Sequence, residues 1–157
     1  MSLVRAIVLV LSFVCLAVPA WADFQAGKDA YDRGHYTTAL NEWRPLAEQG
    51  HADAQRNLGS MYLNGDGVPQ DYQLALYWFR SSANRGNAMA LTQLGLMYER
   101  GNGVTQDVVL AHKWYILGAA NGDKLGAELR DALAKQMTPA QIFQAQQRAR
   151  EWKPKGK

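Results

Sequence analysis

Apolar positions recur along this chain with a helical period, and the stripes then recur as whole blocks. Ala54, Leu58, Met61 and Tyr62 fall three or four residues apart on one side of a helix, with polar residues on the other. Ala90, Leu94, Met97 and Tyr98 repeat the stripe at a shift of 36. A second stripe follows each first one after a glycine-rich break: Ala75, Trp78, Phe79 and Ala83, then Ala111, Trp114, Tyr115 and Ala119. The spacing predicts helices over 52–63, 72–85, 88–100 and 108–121. Superposed, residues 51–86 and 87–122 are identical at 16 of 36 positions. A fixed period of this length signals a solenoid, in which each unit covers its apolar face by stacking on a neighbour. Matched positions are explained by folding, which leaves specificity to the positions that differ.

The joints support the same division. Gly65-Asp66-Gly67-Val68-Pro69 and its copy Gly101-Asn102-Gly103-Val104-Thr105 stop the first helices. No Lys-Ser/Thr pair follows them, so they are not phosphate loops. Asp71 and Asp107 stand where a carboxylate caps the second helices, and Gly86 and Gly122 close each unit. Gly59 and Gly95 sit mid-helix, where glycine costs about 1 kcal/mol relative to alanine. Meeting that cost twice at one position predicts close approach by the partner helix.

Upstream, Ala39, Trp43, Ala47 and Gly50 align with Ala75, Phe79, Ala83 and Gly86, predicting a helix over 36–49. Its partner spans 24–33, and the connection Gly34-His35 is about four residues shorter than in later units. Downstream, 123–136 predicts another first helix. Thr138-Pro139-Ala140-Gln141 then sets a threonine cap, a proline in the first turn and a glutamine three residues after the cap. That start opens a terminal helix over 139–152 covering the last apolar face. The fold class is therefore all-α, an α/α solenoid of antiparallel helical hairpins with a C-terminal capping helix. The repeat domain runs over 23–152, with units 24–50, 51–86 and 87–122 and capping helices in 123–152.

The run Ala-x-Ala-x-x-x-Leu-Gly-x-Met-Tyr-x-x-Gly-x-Gly-Val-x-Gln-Asp-x-x-x-Ala-x-x-Trp, read twice here, resembles the Sel-one-like repeat. That family is related to the tetratricopeptide repeat and has a longer loop within the hairpin. The resemblance covers residues 34–152, and Arg130 to Gln141 looks like the usual C-terminal cap of bacterial members. It implies a tetratricopeptide-like superhelix that holds proteins or peptides, with the first helices lining a concave surface, and it implies no catalytic mechanism. The non-repeating positions of those helices are then the candidate binding residues. They are Asp53, Arg56, Asn57, Ser60 and Asn64 in the second unit, and Met89, Thr92, Gln93, Leu96 and Arg100 in the third. The groove expected from them is polar at one end, with Met89 and Leu96 as apolar anchors further along. The competing reading is a solvated face free to drift.

The ends change the picture of where the protein works. Arg5, the apolar run Ala6 to Val18 and the small-x-small site Ala20-Trp21-Ala22 read as a signal peptide over 1–22. Cleavage between Ala22 and Asp23 leaves no stable membrane anchoring and a periplasmic or secreted protein. It also removes Arg5 and Cys15, taking 17 basic residues to 16 against 14 acidic ones, a net charge of +2. With no cysteine left, neither disulfides nor thiolate metal sites are available, and so small a charge gives no case for nucleic acid. The basic tail, 153–157, reads as a solvated end suited to weak contact with anionic envelope surfaces.

Candidate chemistry is sparse. His35, His51 and His112 are not spaced as metal ligands. Ser81-Ser82 has no nucleophile elbow, and the acidic residues form no general acid–base pair. Trp43, Trp78 and Trp114 recur at packing positions, which favours core over a stacking ladder. No metal or cofactor is expected. The function expected is a non-catalytic scaffold or adaptor binding a protein or extended peptide. Its alternatives are an inhibitor or immunity protein for one exported toxin, or a β-lactam-binding or hydrolysing enzyme. The last is suggested by cysteine-rich relatives, whose paired cysteines are missing here.

Overall fold

A computed structural model describes residues 22–155. The expected signal peptide, apart from Ala22, lies outside the described residues, as do the last two residues of the tail. The described residues form helices and no strands: α1 (Phe24–Asp32), α2 (Tyr36–Glu48), α3 (Ala52–Asn64), α4 (Tyr72–Ala83), α5 (Ala88–Arg100), α6 (Val108–Ala120), α7 (Lys124–Ala134) and α8 (Pro139–Glu151). Consecutive helices pack in order from α1 to α7, so that each hairpin stacks on the next. α8 turns back onto α6. None of these helices is long and apolar enough to cross a membrane.

Local chemistry explains the ends of the elements. Asp71 accepts from the amides of Gln73 and Leu74 at 2.9 and 3.0 Å, and Asp107 from that of Leu110 at 2.9 Å. Gly65 and Gly101 end α3 and α5 in the left-handed region, at φ 79° and 73°. Gln70 and Gln106 pin the following loops by donating to the carbonyls of Leu63 and Glu99. The Thr138 and Gln141 side chains cap α8 reciprocally, as the sequence predicted.

The mid-helix glycines are where hairpins close most tightly. A Cβ on Gly59 would stand 2.7 Å from the Phe79 ring, and one on Gly95 would press on that of Tyr115 still more closely. Gly27 lies against Trp43 in the same manner. Glycine and aromatic are twenty residues apart in the later units and sixteen in the first, which is the shortening at Gly34-His35. Aligned on these glycines, Phe24, Lys28 and Asp32 of α1 match Arg56, Ser60 and Asn64 of α3, and Thr92, Leu96 and Arg100 of α5.

The core follows the hairpins. Trp43, Leu46, Leu58 and Met61 pack α1–α3 with the half-buried Trp78. Phe79, Leu91, Leu94 and Met97 join α4 to α5 beneath Trp114. Tyr115 and Leu133 close the C-terminal end.

Candidate functional site

The face built by the first helices carries a cleft of about 510 Å³ between α1 and α3. From α3 come Asp53, Arg56, Asn57, Ser60 and Asn64, the whole second-unit set proposed from sequence. The opposite wall is Phe24, Lys28, Tyr31 and Asp32 of α1, with Trp43 at the back. The α1 residues were not anticipated. Their signal was available in Gly27, sixteen residues before Trp43, which sets α1 in the same register as α3.

Hydrogen bonds fix much of this cleft. Trp43 Nε1 donates to the Phe24 carbonyl at 3.1 Å. Phe24 stacks on His51 with ring centroids 4.8 Å apart, and His51 Nδ1 accepts from the Ala54 amide at 3.2 Å. His51 thus caps α3 as Asn87 caps α5. The Tyr31 hydroxyl and the Asn64 amide both donate to Asp66 Oδ2, at 2.6 and 3.2 Å. Partial burial and then the Asp66 carboxylate push the Tyr31 phenol up to about 12. Asp53 accepts from Asn87 Nδ2 at 2.8 Å, tying the start of α3 to that of α5. Lys28 pairs with Asp32 at 2.7 Å on the exposed rim.

Unit three is different, and the expectation of a continuous groove needs correction there. Met89 and Arg100 are exposed and Gln93 is half-buried. Thr92 is 1% exposed, its hydroxyl donating to the Ala88 carbonyl at 3.3 Å. Leu96 packs against the cluster of Ala111, Tyr115 and Leu133. The reason is α7, which packs on α5 as well as on α6. Gly126 of α7 and Gly118 of α6 both lie directly over the Thr92 hydroxyl, with no room for a side chain. Thr92 and Leu96 are therefore packing residues, and the ten proposed positions do not form one open surface.

The other candidates resolve into structure. Ser82 is buried and donates to the Ala52 carbonyl at 2.7 Å, and Ser81 donates to that of Tyr77. His112 is buried beside Arg130 and Asp131, its Nδ1 without a partner. Burial and then Arg130 lower its pKa. The described residues hold no group of three His, Cys, Asp or Glu side chains placed to bind a metal. Trp114 is nearly buried and meets Trp152 edge-on at 5.7 Å. Beyond Trp152 the tail returns over α4, where the Lys155 amide donates to Asn84 Oδ1 at 3.2 Å.

Two adjacent Sel1 repeats match residues 52–87 and 88–123, one residue on from the register used above. A Sel1 repeat protein from Oxalobacter formigenes, of known structure, is 33% identical, and the likeness covers 69% of this chain and 85% of that one with a TM-score of 0.62. The chain belongs to the Sel1 repeat family. A second solved relative with the same fold is a protective antigen present in uropathogenic Escherichia coli strains. It is 33% identical over 80% of this chain, with a TM-score of 0.75. An exopolysaccharide production negative regulator from Rhizobium leguminosarum bv. viciae is 42% identical over 48 residues, 31% of this chain. This Sel1 repeat chain spans 28% of the antigen and 18% of the regulator.

Proposed function

We propose that this Sel1 repeat protein is a non-catalytic scaffold that seats a protein or extended peptide in the cleft between α1 and α3. The observation that carries this reading is the stripe of equivalent positions on successive first helices. These positions differ from unit to unit, and those of the first two units open into one cleft of about 510 Å³. That volume lies within the range of roughly 300–1,000 Å³ usual for ligand clefts, and its lining mixes aromatic surface with convergent polar groups. The regulatory role of the partial rhizobial relative supports binding rather than chemistry.

The reading includes export, with the protein working in the periplasm or outside the cell. The Asp23 amide donates to Glu42 Oε2 at 2.7 Å, while the Asp23 carboxylate caps α1. Cleavage after Ala22 turns that amide into an ammonium facing a carboxylate, a stronger charge-assisted contact. The exposed Lys153 and Lys155 are placed for weak contact with an anionic envelope surface.

The test is a crosslinking pull-down from native periplasm with tagged protein, run beside Ser60→Trp, which fills the cleft. One protein captured by the parent and lost with the folded variant supports the reading. Equal capture by both baits overturns the cleft as the seat.

A further inference from the structure

Arg56, Asn57 and Ser60 lie within one turn of α3 and line the same cleft. Among the described residues none of their side chains makes a hydrogen bond to another protein group, although Asn57 is only 8% exposed and Arg56 Nε is buried without a partner. Leaving such groups unmatched is costly unless a ligand or water meets them. The two carboxylates of the cleft do not serve Arg56: Asp53 is held by Asn87, and Asp32 by Lys28. Beyond the buried Nε, the cleft presents the outer guanidinium nitrogens of Arg56, the Asn57 amide and the Ser60 hydroxyl as free donors, and all three suit an acceptor with negative charge.

The arrangement occurs once. In the third unit the same positions are Thr92, which is bonded internally, Gln93 and Leu96, which is packed. In the first unit, Arg56 is replaced by Phe24. Phe24 and Tyr31 stand opposite as an aromatic wall, with the buried Trp43 behind them. From this geometry we propose that the cleft recognises a carboxylate on an extended peptide. Arg56 takes the charge, Asn57 and Ser60 add hydrogen bonds, and a neighbouring apolar side chain rests on the aromatic wall. A guanidinium matches a carboxylate with two parallel hydrogen bonds, a geometry that an ammonium cannot supply. The carboxylate has two possible sources, the peptide's own C-terminus or an aspartate or glutamate side chain.

This inference rests on the cleft being a peptide seat, and the experiment separates the two. Three pools of random N-acetyl tetrapeptides are titrated into ¹⁵N-labelled protein while the Arg56 Nε–H and Trp43 indole resonances are followed. One pool has free carboxyl ends and no acidic side chains; one is the same pool amidated; one is amidated with a central glutamate. Saturable shifts are expected with a carboxylate-bearing pool and not with the neutral amidated pool. Whichever acidic pool binds identifies the source. Arg56→Gln is expected to weaken that binding at least about tenfold, with its amide spectrum and melting temperature preserved. Equal binding of the neutral pool, or undiminished binding by folded Arg56→Gln, overturns the carboxylate while leaving the cleft as a peptide seat. Cleft resonances that no pool moves overturn it as well, and the periplasmic pull-down then decides separately whether the cleft holds a protein.

Discussion

Leu63 and Phe79 in the second unit correspond to Glu99 and Tyr115 in the third, and the two positions change together. Leu63 packs on the cluster that holds Phe79. In the third unit a carboxylate and a hydroxyl have been added at the same places, and Tyr115 donates to Glu99 Oε2 from a fully buried ring. Burial and the Glu99 carboxylate push that phenol above the usual tyrosine range. Glu99→Leu leaves the hydroxyl buried without an acceptor, an expected loss of about 1–3 kcal/mol. Adding Tyr115→Phe recreates the second-unit pair and is expected to recover most of it. Urea unfolding of the two single variants and the double variant checks this as a coupling energy. The alignment showed Phe79 facing Tyr115 in sequence, but not that Glu99 answers the added hydroxyl. A helical period assigns a face to a side chain and says nothing about which polar atom meets it across a hairpin. His51 and Asn87 make the same point, since two unlike residues cap equivalent helices.

Helices were legible from the apolar period, and their ends from aspartate, glycine and the capping box, because those signals are local. How α7 and α8 dock was not legible, because it depends on contacts between units. Gly118 and Gly126 let α7 settle over Thr92, so Leu96 joins the core while Met89 stays 56% exposed. Met89→Lys is expected to change stability by less than about 0.5 kcal/mol, and Leu96→Glu to cost about 2 kcal/mol or more. Thermal and urea unfolding of the two variants separate a surface position from a packed one. The same end of the molecule contains His112 where the second unit has the buried Leu76. A histidine held neutral by burial takes up its proton more readily in the unfolded chain. Its contribution to stability is therefore retained above its ordinary pKa of 6.5 and falls as pH drops from there through the lowered folded value. Arg130 opposes the charge and Asp131 favours it, burial being the larger influence. His112→Leu is expected to flatten the loss of melting temperature between pH 6.5 and 4.5, with little change near pH 8. An unchanged acid limb contradicts this assignment.

At the scale of the whole molecule, repetition and its failure divide the work. Repeated residues build the hairpins, and Gly59 with Phe79 or Gly95 with Tyr115 shows how closely they do so. The first-helix positions that vary are the proposed binding residues; between α1 and α3 they line one cleft, whereas on α5 Thr92 and Leu96 are packed and Met89 and Arg100 stay exposed. Half of the candidate set lines that cleft, whose other wall on α1 was not read from the sequence because the short first connection takes α1 out of the 36-residue register. The most direct measurement is site-specific photo-crosslinking in living cells, with the photoreactive residue at Asn64 in the cleft or at the exposed Thr38 on α2. A discrete protein adduct from Asn64, absent from Thr38, is the expected result. Adducts of the same protein from Thr38 alone would contradict the assignment of the binding seat to the cleft between α1 and α3.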